Sequence, residues 1–150
     1  DGAIYYAAGD GNKGLRLNLS EDGTEIREAW RNEGFDSFMG GIVMIDNHLY
    51  TCGTSTQLLL SIEADTGILI DSLKVGQGAV IAADGMLYYY NQRGEMKLIH
   101  VRDGKMKQIS SFKITRGSGH HFSHPVIHRG VLYQRRGDAL MAFDIRRPNP

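Results

Sequence analysis

The chain has 150 residues, which is enough for one ordinary domain with a hydrophobic core. Its 17 basic and 17 acidic residues balance, so no net charge favours nucleic acid or an anionic membrane surface. Apolar runs such as residues 42–45 and 58–60 are far too short to span a membrane. A single cysteine, Cys52, excludes an internal disulfide.

Short apolar runs alternate with turn dipeptides such as Asp22-Gly23, Asp84-Gly85 and Asp103-Gly104. This pattern predicts short antiparallel strands joined by hairpins. No long stretch has a convincing helical period. The sequence therefore predicts an all-β fold.

A turn followed by an aliphatic residue and a tyrosine recurs four times, at Tyr5, Tyr50, Tyr88 and Tyr133. The tyrosines are separated by 45, 38 and 45 residues. A period of about forty residues with four strand-like runs predicts a β-propeller. Each unit should contain an apolar inner strand A, a tyrosine-bearing strand B, a strand C and a polar outer strand D.

In chain order, the predicted blades cover about residues 1–30, 42–75, 79–115 and 125–145 of a single domain. The first offers strands B to D, the next two are complete, and the fourth offers strands A to C. This gives about three and a half four-stranded antiparallel blades of a larger ring. We expect the strands nearest the ring axis to be buried on both faces.

A ring of about four to eight blades must close, so such a chain exposes two blade faces. The sequence begins at Asp1 without an initiator methionine or a signal peptide. We therefore expect a processed chain or a fragment, the C-terminal portion of a larger propeller. The missing half of the ring, or a second copy, would cover the open faces.

Residues 60–70, LSIEADTGILI, resemble the repeat of the pyrroloquinoline-quinone-like (quinoprotein alcohol dehydrogenase-like) propellers. That repeat has a strand ending in Ala-x-Asp, then Thr-Gly, then an outer strand often closed by tryptophan. Residues 17–30, which end at Trp30, and residues 142–145 resemble looser copies. The resemblance implies the propeller fold, a blade-locking role for Trp30, and a periplasmic or extracellular location. The turn at Gly67 predicts a positive φ there.

The candidate binding site is the face that carries the D-to-A and B-to-C loops, at the channel mouth. Residues 117–128, GSGHHFSHPVIH, hold four of the six histidines. Three of them lie in the predicted D-to-A loop, residues 116–124, and His128 follows the next inner strand, at a turn that we expect on the opposite face. Pro125 restricts His124 to extended geometry, so we expect His124 and His121 to reach the mouth. Hydrogen bonding to an anion or a hydroxylated ligand is their expected role. The candidates from other loops are Gln77, Asn91, Arg93 and Arg135.

The sequence gives weaker evidence for a metal or cofactor site than for a binding site at the channel mouth. No acidic residue or cysteine sits beside His121 and His124, and the two oxygen-bearing side chains Asp10 and Asn12 do not make a calcium site. The sequence has no Gly-x-Ser-x-Gly elbow, so no catalytic residue is predicted. Pyrroloquinoline quinone and calcium would be possible only with the missing blades.

We therefore expect a non-catalytic binding or scaffold propeller of the cell envelope, with a small molecule, glycan or protein at its loop face. Nucleic acid is not an expected partner. Two alternatives stay open, because fold does not fix function. One is the C-terminal part of a quinone-dependent dehydrogenase. The other is a structural protein-interaction module resembling the outer-membrane assembly lipoprotein.

Overall fold

The computed structural model describes residues 2–9, 13–38 and 41–146. Within these ranges the regular secondary structure consists of β-strands alone. In chain order they are β1 (Ala3–Ala7), β2 (Gly14–Leu19), β3 (Ile26–Asn32), β4 (Val43–Ile45), β5 (His48–Cys52), β6 (Leu58–Glu63), β7 (Leu69–Lys74), β8 (Gly78–Ala83), β9 (Met86–Asn91), β10 (Glu95–Arg102), β11 (Lys105–Lys113), β12 (Val126–His128), β13 (Val131–Arg136) and β14 (Ala139–Asp144).

The strands form four separate antiparallel sheets, each built from strands that follow one another in the chain. Blade 1 contains β1–β3, blade 2 β4–β7, blade 3 β8–β11 and blade 4 β12–β14. Every strand pair is thus a local hairpin, as the turn dipeptides predicted. The predicted fold class, a partial β-propeller of about three and a half blades, is confirmed.

The hydrophobic core lies in the seams between neighbouring blades. One cluster joins Tyr50 and Leu59 of blade 2 to Tyr89 and Ile99 of blade 3. Similar clusters fill the seam between blades 1 and 2 and the seam between blades 3 and 4. Since each sheet buries its faces against its neighbours, the blades stabilise one another in sequence around the ring.

The prediction that the innermost strands are buried on both faces is wrong for β4 and β12, and β8 is buried only over its first three residues. Strands β4 and β12 have only three residues each, and Met44 and Val126 are 58% and 57% exposed. The most buried strands are instead central ones, β5, β6 and β9. Central strands have hydrogen-bonded neighbours on both edges and a blade against their faces, whereas an innermost strand has one free edge.

The turn between β6 and β7 is seated against blade 1. Gly67 has a φ of 72°, as predicted, and a Cβ atom at this position would lie 2.6 Å from the indole of Trp30. The indole N–H donates to the Ala64 carbonyl at 2.9 Å, and the Asn32 side chain donates to the Gly67 carbonyl at 2.7 Å. Trp30 therefore lies on the outer strand of blade 1 and locks it to blade 2.

The turn between β10 and β11 is seated against blade 2 in the same way. A Cβ atom on Gly104 would lie 2.6 Å from the His48 ring and 2.7 Å from Ile70. The amide of Met106 donates to the Asp71 carboxylate at 2.8 Å. The junction of blades 1 and 2 and the junction of blades 2 and 3 therefore each contain a glycine turn that contacts side chains of the preceding blade.

The outer faces of blades 1 and 4 expose apolar side chains. Ile4 and Tyr6 are exposed on β1, and Val126 and Leu140 on blade 4. A groove of about 440 Å³ lies between residues 113–116 and residues 139–143, beside β14. β14 pairs with β13 along one edge. Exposed apolar side chains on the two end blades favour association.

Replacing Gly67 with alanine should destabilise the fold by about 2–5 kcal/mol. Left-handed backbone strain contributes about 1–2 kcal/mol, and the clash with Trp30 adds about 1–3 kcal/mol. Gly23→Ala is a matched control, because Gly23 has nearly the same φ, 71°, but has no atom within 4 Å of a built Cβ. That variant should lose only the strain contribution, about 1–2 kcal/mol. Urea unfolding measures both, and equal losses would contradict the Trp30 contact.

The isolated chain should self-associate through its end blades. Sedimentation velocity should show dimers or larger species whose proportion rises with protein concentration. A Tyr6→Lys/Leu140→Lys double variant should shift the distribution toward monomer, because it places charge on both apolar faces. A monomeric parent at all concentrations, with no apolar dye binding, would refute this expectation.

Candidate functional site

The first part of the histidine stretch, residues 117–125, lies in the loop between β11 and β12 and is held by the turn between β13 and β14. The Ser118 amide and hydroxyl donate to the Asp138 carboxylate at 3.2 and 2.9 Å. Arg136 Nε donates to the Gly119 carbonyl at 3.2 Å. Loop 116–124 is therefore positioned by blade 4, while its own chain comes from blade 3.

His121 packs against blade 3. Its Nδ1 atom hydrogen-bonds to the Tyr90 hydroxyl, and the two rings meet edge to face with centroids 5.5 Å apart. Burial lowers the pKa of His121, and Arg136, Lys113 and His120 lower it further through their charges. The neutral imidazole is therefore favoured, and its Nδ1 atom can accept a hydrogen bond that the Tyr90 hydroxyl donates.

Side-chain burial alternates along the rest of the loop. His121 and Ser123 are half-buried, and Phe122 and His124 are exposed, which is the alternation of an extended segment. The Gln134 side chain donates to the Ser123 hydroxyl at 2.6 Å. His124 faces the segment before β4, where a Cβ atom on Gly41 would lie 3.5 Å from its ring. His124 thus lies between the loops that precede two different inner strands.

Gln77 and His121 come together in a narrow cleft that is completed by Phe122 and Gln92. The cleft encloses only about 10 Å³. This volume is about what one water molecule requires. The cleft at His121 is therefore too small for a ligand larger than water, and a larger ligand would have to bind on the surface of the loop face.

The other predicted site residues lie apart from this cleft. Asn91 is buried, and its amide donates to the Val75 carbonyl at 2.8 Å and to Glu95 at 2.7 Å, so it shapes the loop. Arg93 lines a separate cavity on the side of blade 2. Arg135 Nε donates to the Gly137 carbonyl at 2.9 Å, within its own turn.

Sequence reasoning missed two exposed aromatic residues of the loop face. Phe38 is 62% exposed, and its amide donates to the Thr54 hydroxyl at 2.8 Å. Phe122 is 49% exposed and stacks on His120, with ring centroids 5.0 Å apart. Both residues stand in polar, glycine-containing loops, a composition that would have indicated solvated segments. The available sequence signal was a phenylalanine in a polar loop that leads to the predicted mouth.

The described residues contain no group of three or more histidine, cysteine, aspartate or glutamate side chains that could hold a metal ion. The calcium candidates Asp10 and Asn12 lie outside the described residues. Within the same ranges, no helix has the length and apolar character required to cross a membrane.

No protein-family model matches the sequence, and no curated protein matches it significantly. Solved structures do match. BamB from Moraxella catarrhalis superposes with a TM-score of 0.69 over 95% of this chain at 12% identity. The computationally designed Ika8 protein gives a TM-score of 0.66 over 97% at 15% identity. A chain in the S. cerevisiae assembly of Dbp5 with Nup159, Gle1, IP6 and ADP gives 0.60 over 93% at 12% identity.

The chain spans about two fifths of each matched structure, 42%, 43% and 37% of their lengths. At these identities the matches show the fold alone. They support a β-propeller fold, and the finer resemblance to the pyrroloquinoline-quinone-like repeat stays a prediction.

The His121→Gln and Tyr90→Phe variants should differ in the pH dependence of stability. The pKa of His121 is lowered in the folded chain, so its stabilising contribution is present above about pH 6.5 and is lost as pH falls below that value. Both variants lose the shared hydrogen bond, at a cost of about 0.5–1.5 kcal/mol.

Only His121→Gln removes the titrating group. Denaturant unfolding between pH 5 and 8 should therefore show a flatter profile for His121→Gln, while Tyr90→Phe keeps the slope of the parent. Identical slopes for His121→Gln and the parent would contradict the lowered pKa of the half-buried His121.

Proposed function

We propose that this chain is a non-catalytic binding and scaffold portion of a β-propeller in the cell envelope, and that it docks a protein partner on its loop face. The observation that carries the proposal is the pair of exposed aromatic residues, Phe38 and Phe122, on two loops that precede inner strands. Exposed aromatic side chains on a scaffold of rigid strands are typical anchors of protein interfaces.

The shape of this face favours a protein or an extended glycan over an enclosed small molecule. Pockets for drug-sized ligands enclose roughly 300–1,000 Å³, whereas the cleft at His121 encloses about 10 Å³. A partner would lie across the face and cover the two phenylalanines. Gln77, His121, His124 and Arg135 would then supply polar contacts at the rim.

The fold similarity to BamB supports a scaffold role. It favours the structural interaction module, resembling the outer-membrane assembly lipoprotein, among the functions that the sequence leaves open. A periplasmic or extracellular location belongs to the same proposal and is supported by the resemblance of the repeat. The alternative of a quinone-dependent dehydrogenase remains untested.

Site-specific photo-crosslinking in cells that naturally make the protein tests this proposal. A photoreactive phenylalanine analogue at position 122 should give a discrete crosslinked protein. The same analogue at Ile109, an exposed position on outer strand β11, is the matched control and should not. His124→Ala should weaken the crosslink at 122. Equal crosslinking at both positions, or none at 122, would overturn the proposed docking face.

A further inference from the structure

A second cavity lies between blades 2 and 3, away from the histidine cleft. It encloses about 150 Å³, room for several water molecules or one tetrahedral oxyanion. Blade 2 supplies its walls through the loop after β5 and the end of β7, and blade 3 supplies the loop after β9 and the start of β10. The lining residues are Thr56, Gln57, Lys74, Val75, Gly76, Arg93, Glu95 and Lys97.

The charge of this cavity is unbalanced. Lys74, Arg93 and Lys97 contribute three cations, and Glu95 contributes the single carboxylate, so the lining carries a formal charge of +2. The chain as a whole has a net charge of zero. Cations concentrated in a partly enclosed site raise the local potential for an anion well above that of the surrounding surface.

The carboxylate is already engaged by its neighbours. Glu95 accepts a hydrogen bond from the Asn91 amide at 2.7 Å and pairs with the Lys97 ammonium at 3.1 Å. These hydrogen bonds lower the pKa of Glu95, the one from Asn91 most, so the group is ionised at neutral pH. Lys97 is only 8% exposed, so its ammonium is held in the wall by this pair.

The other two cations have no such partner. The Lys74 and Arg93 side chains make no hydrogen bond or ion pair within the described residues, although both line the cavity. Thr56 accepts from the Leu58 amide at 3.4 Å, so its hydroxyl proton can be donated. Two cations and a hydroxyl donor therefore border the same space.

We infer that this cavity binds a doubly charged tetrahedral oxyanion, a phosphate or sulfate group. The formal charge of +2 matches such a group, and the Arg93 guanidinium can donate two parallel hydrogen bonds to it. The group could be free or esterified to a small molecule. The inference is independent of the docking face, because the cavity lies on the opposite side of the 91–95 loop from His121.

Isothermal titration of the 150-residue chain with inorganic phosphate, sulfate and glycerol 3-phosphate tests this, at constant ionic strength set by chloride. Phosphate and sulfate should bind saturably with one site per chain. Tighter binding of glycerol 3-phosphate than of phosphate identifies an esterified ligand, and the reverse order identifies a free ion. A heat signal no larger than that of added chloride would overturn the inference.

Charge-removing variants locate the binding. Lys74→Gln and Arg93→Gln should each weaken phosphate binding about tenfold, as expected for one lost charged hydrogen bond. Arg93→Lys should lose less, because it keeps the charge. Arg102→Gln is the matched control, since it removes an exposed cation at the far end of β10, outside the cavity, and should bind as the parent does.

His124→Ala should also bind phosphate as the parent does, which separates this site from the docking face. Since all of these variants change exposed side chains, their folding can be verified by unfolding curves that overlay the parent. Parent-like affinity in Lys74→Gln and Arg93→Gln, or an equal loss in Arg102→Gln, would overturn the assignment.

Discussion

The contact between a glycine turn and a side chain of the preceding blade is the constraint on which this structure depends. Gly67 lies against Trp30, and Gly104 lies against His48 and Ile70. Because each sheet is built from local hairpins, nothing in the pairing of strands fixes one blade relative to the next. The apolar seams supply the driving force for stacking, but they are not directional. The glycine contacts and the hydrogen bonds beside them are directional, so they set the position of each blade relative to the preceding one.

These contacts also leave the loop face free for other tasks. Gly67 and Gly104 lie in turns that join the third and outer strands of their blades. The histidine stretch, Phe38 and the 91–95 loop lie at the other ends of those strands. Substitutions in the loops therefore need not disturb the contacts that hold the blades together. This division between a rigid frame and its connecting loops is the usual way in which a common fold supports different functions.

Much of the architecture was predictable because the relevant signals are local. The tyrosine period, the turn dipeptides and the glycine at position 67 each depend on residues a few positions apart. The candidate site was less predictable. Tyr90 and His121 are 31 positions apart, and their hydrogen bond exists only because loop 116–124 packs back against blade 3. Asn91 and Arg93 are only two residues apart in the chain. Asn91 is buried and holds the loop by hydrogen bonds, whereas Arg93 lines a cavity that His121 does not line.

The 91–95 loop shows why two chemically different surfaces can lie so close together. Gly94 provides the contact for the His121 ring, since a Cβ atom there would lie 2.6 Å from the imidazole. Asn91 donates to the Val75 carbonyl of blade 2 and accepts from the Arg93 and Glu95 amides. One side of the loop therefore supports a neutral, aromatic cleft, and the other side presents the cations of the neighbouring cavity. Because the Asn91 hydrogen bonds hold the loop to both blades, a turn of five residues can keep these two surfaces separate.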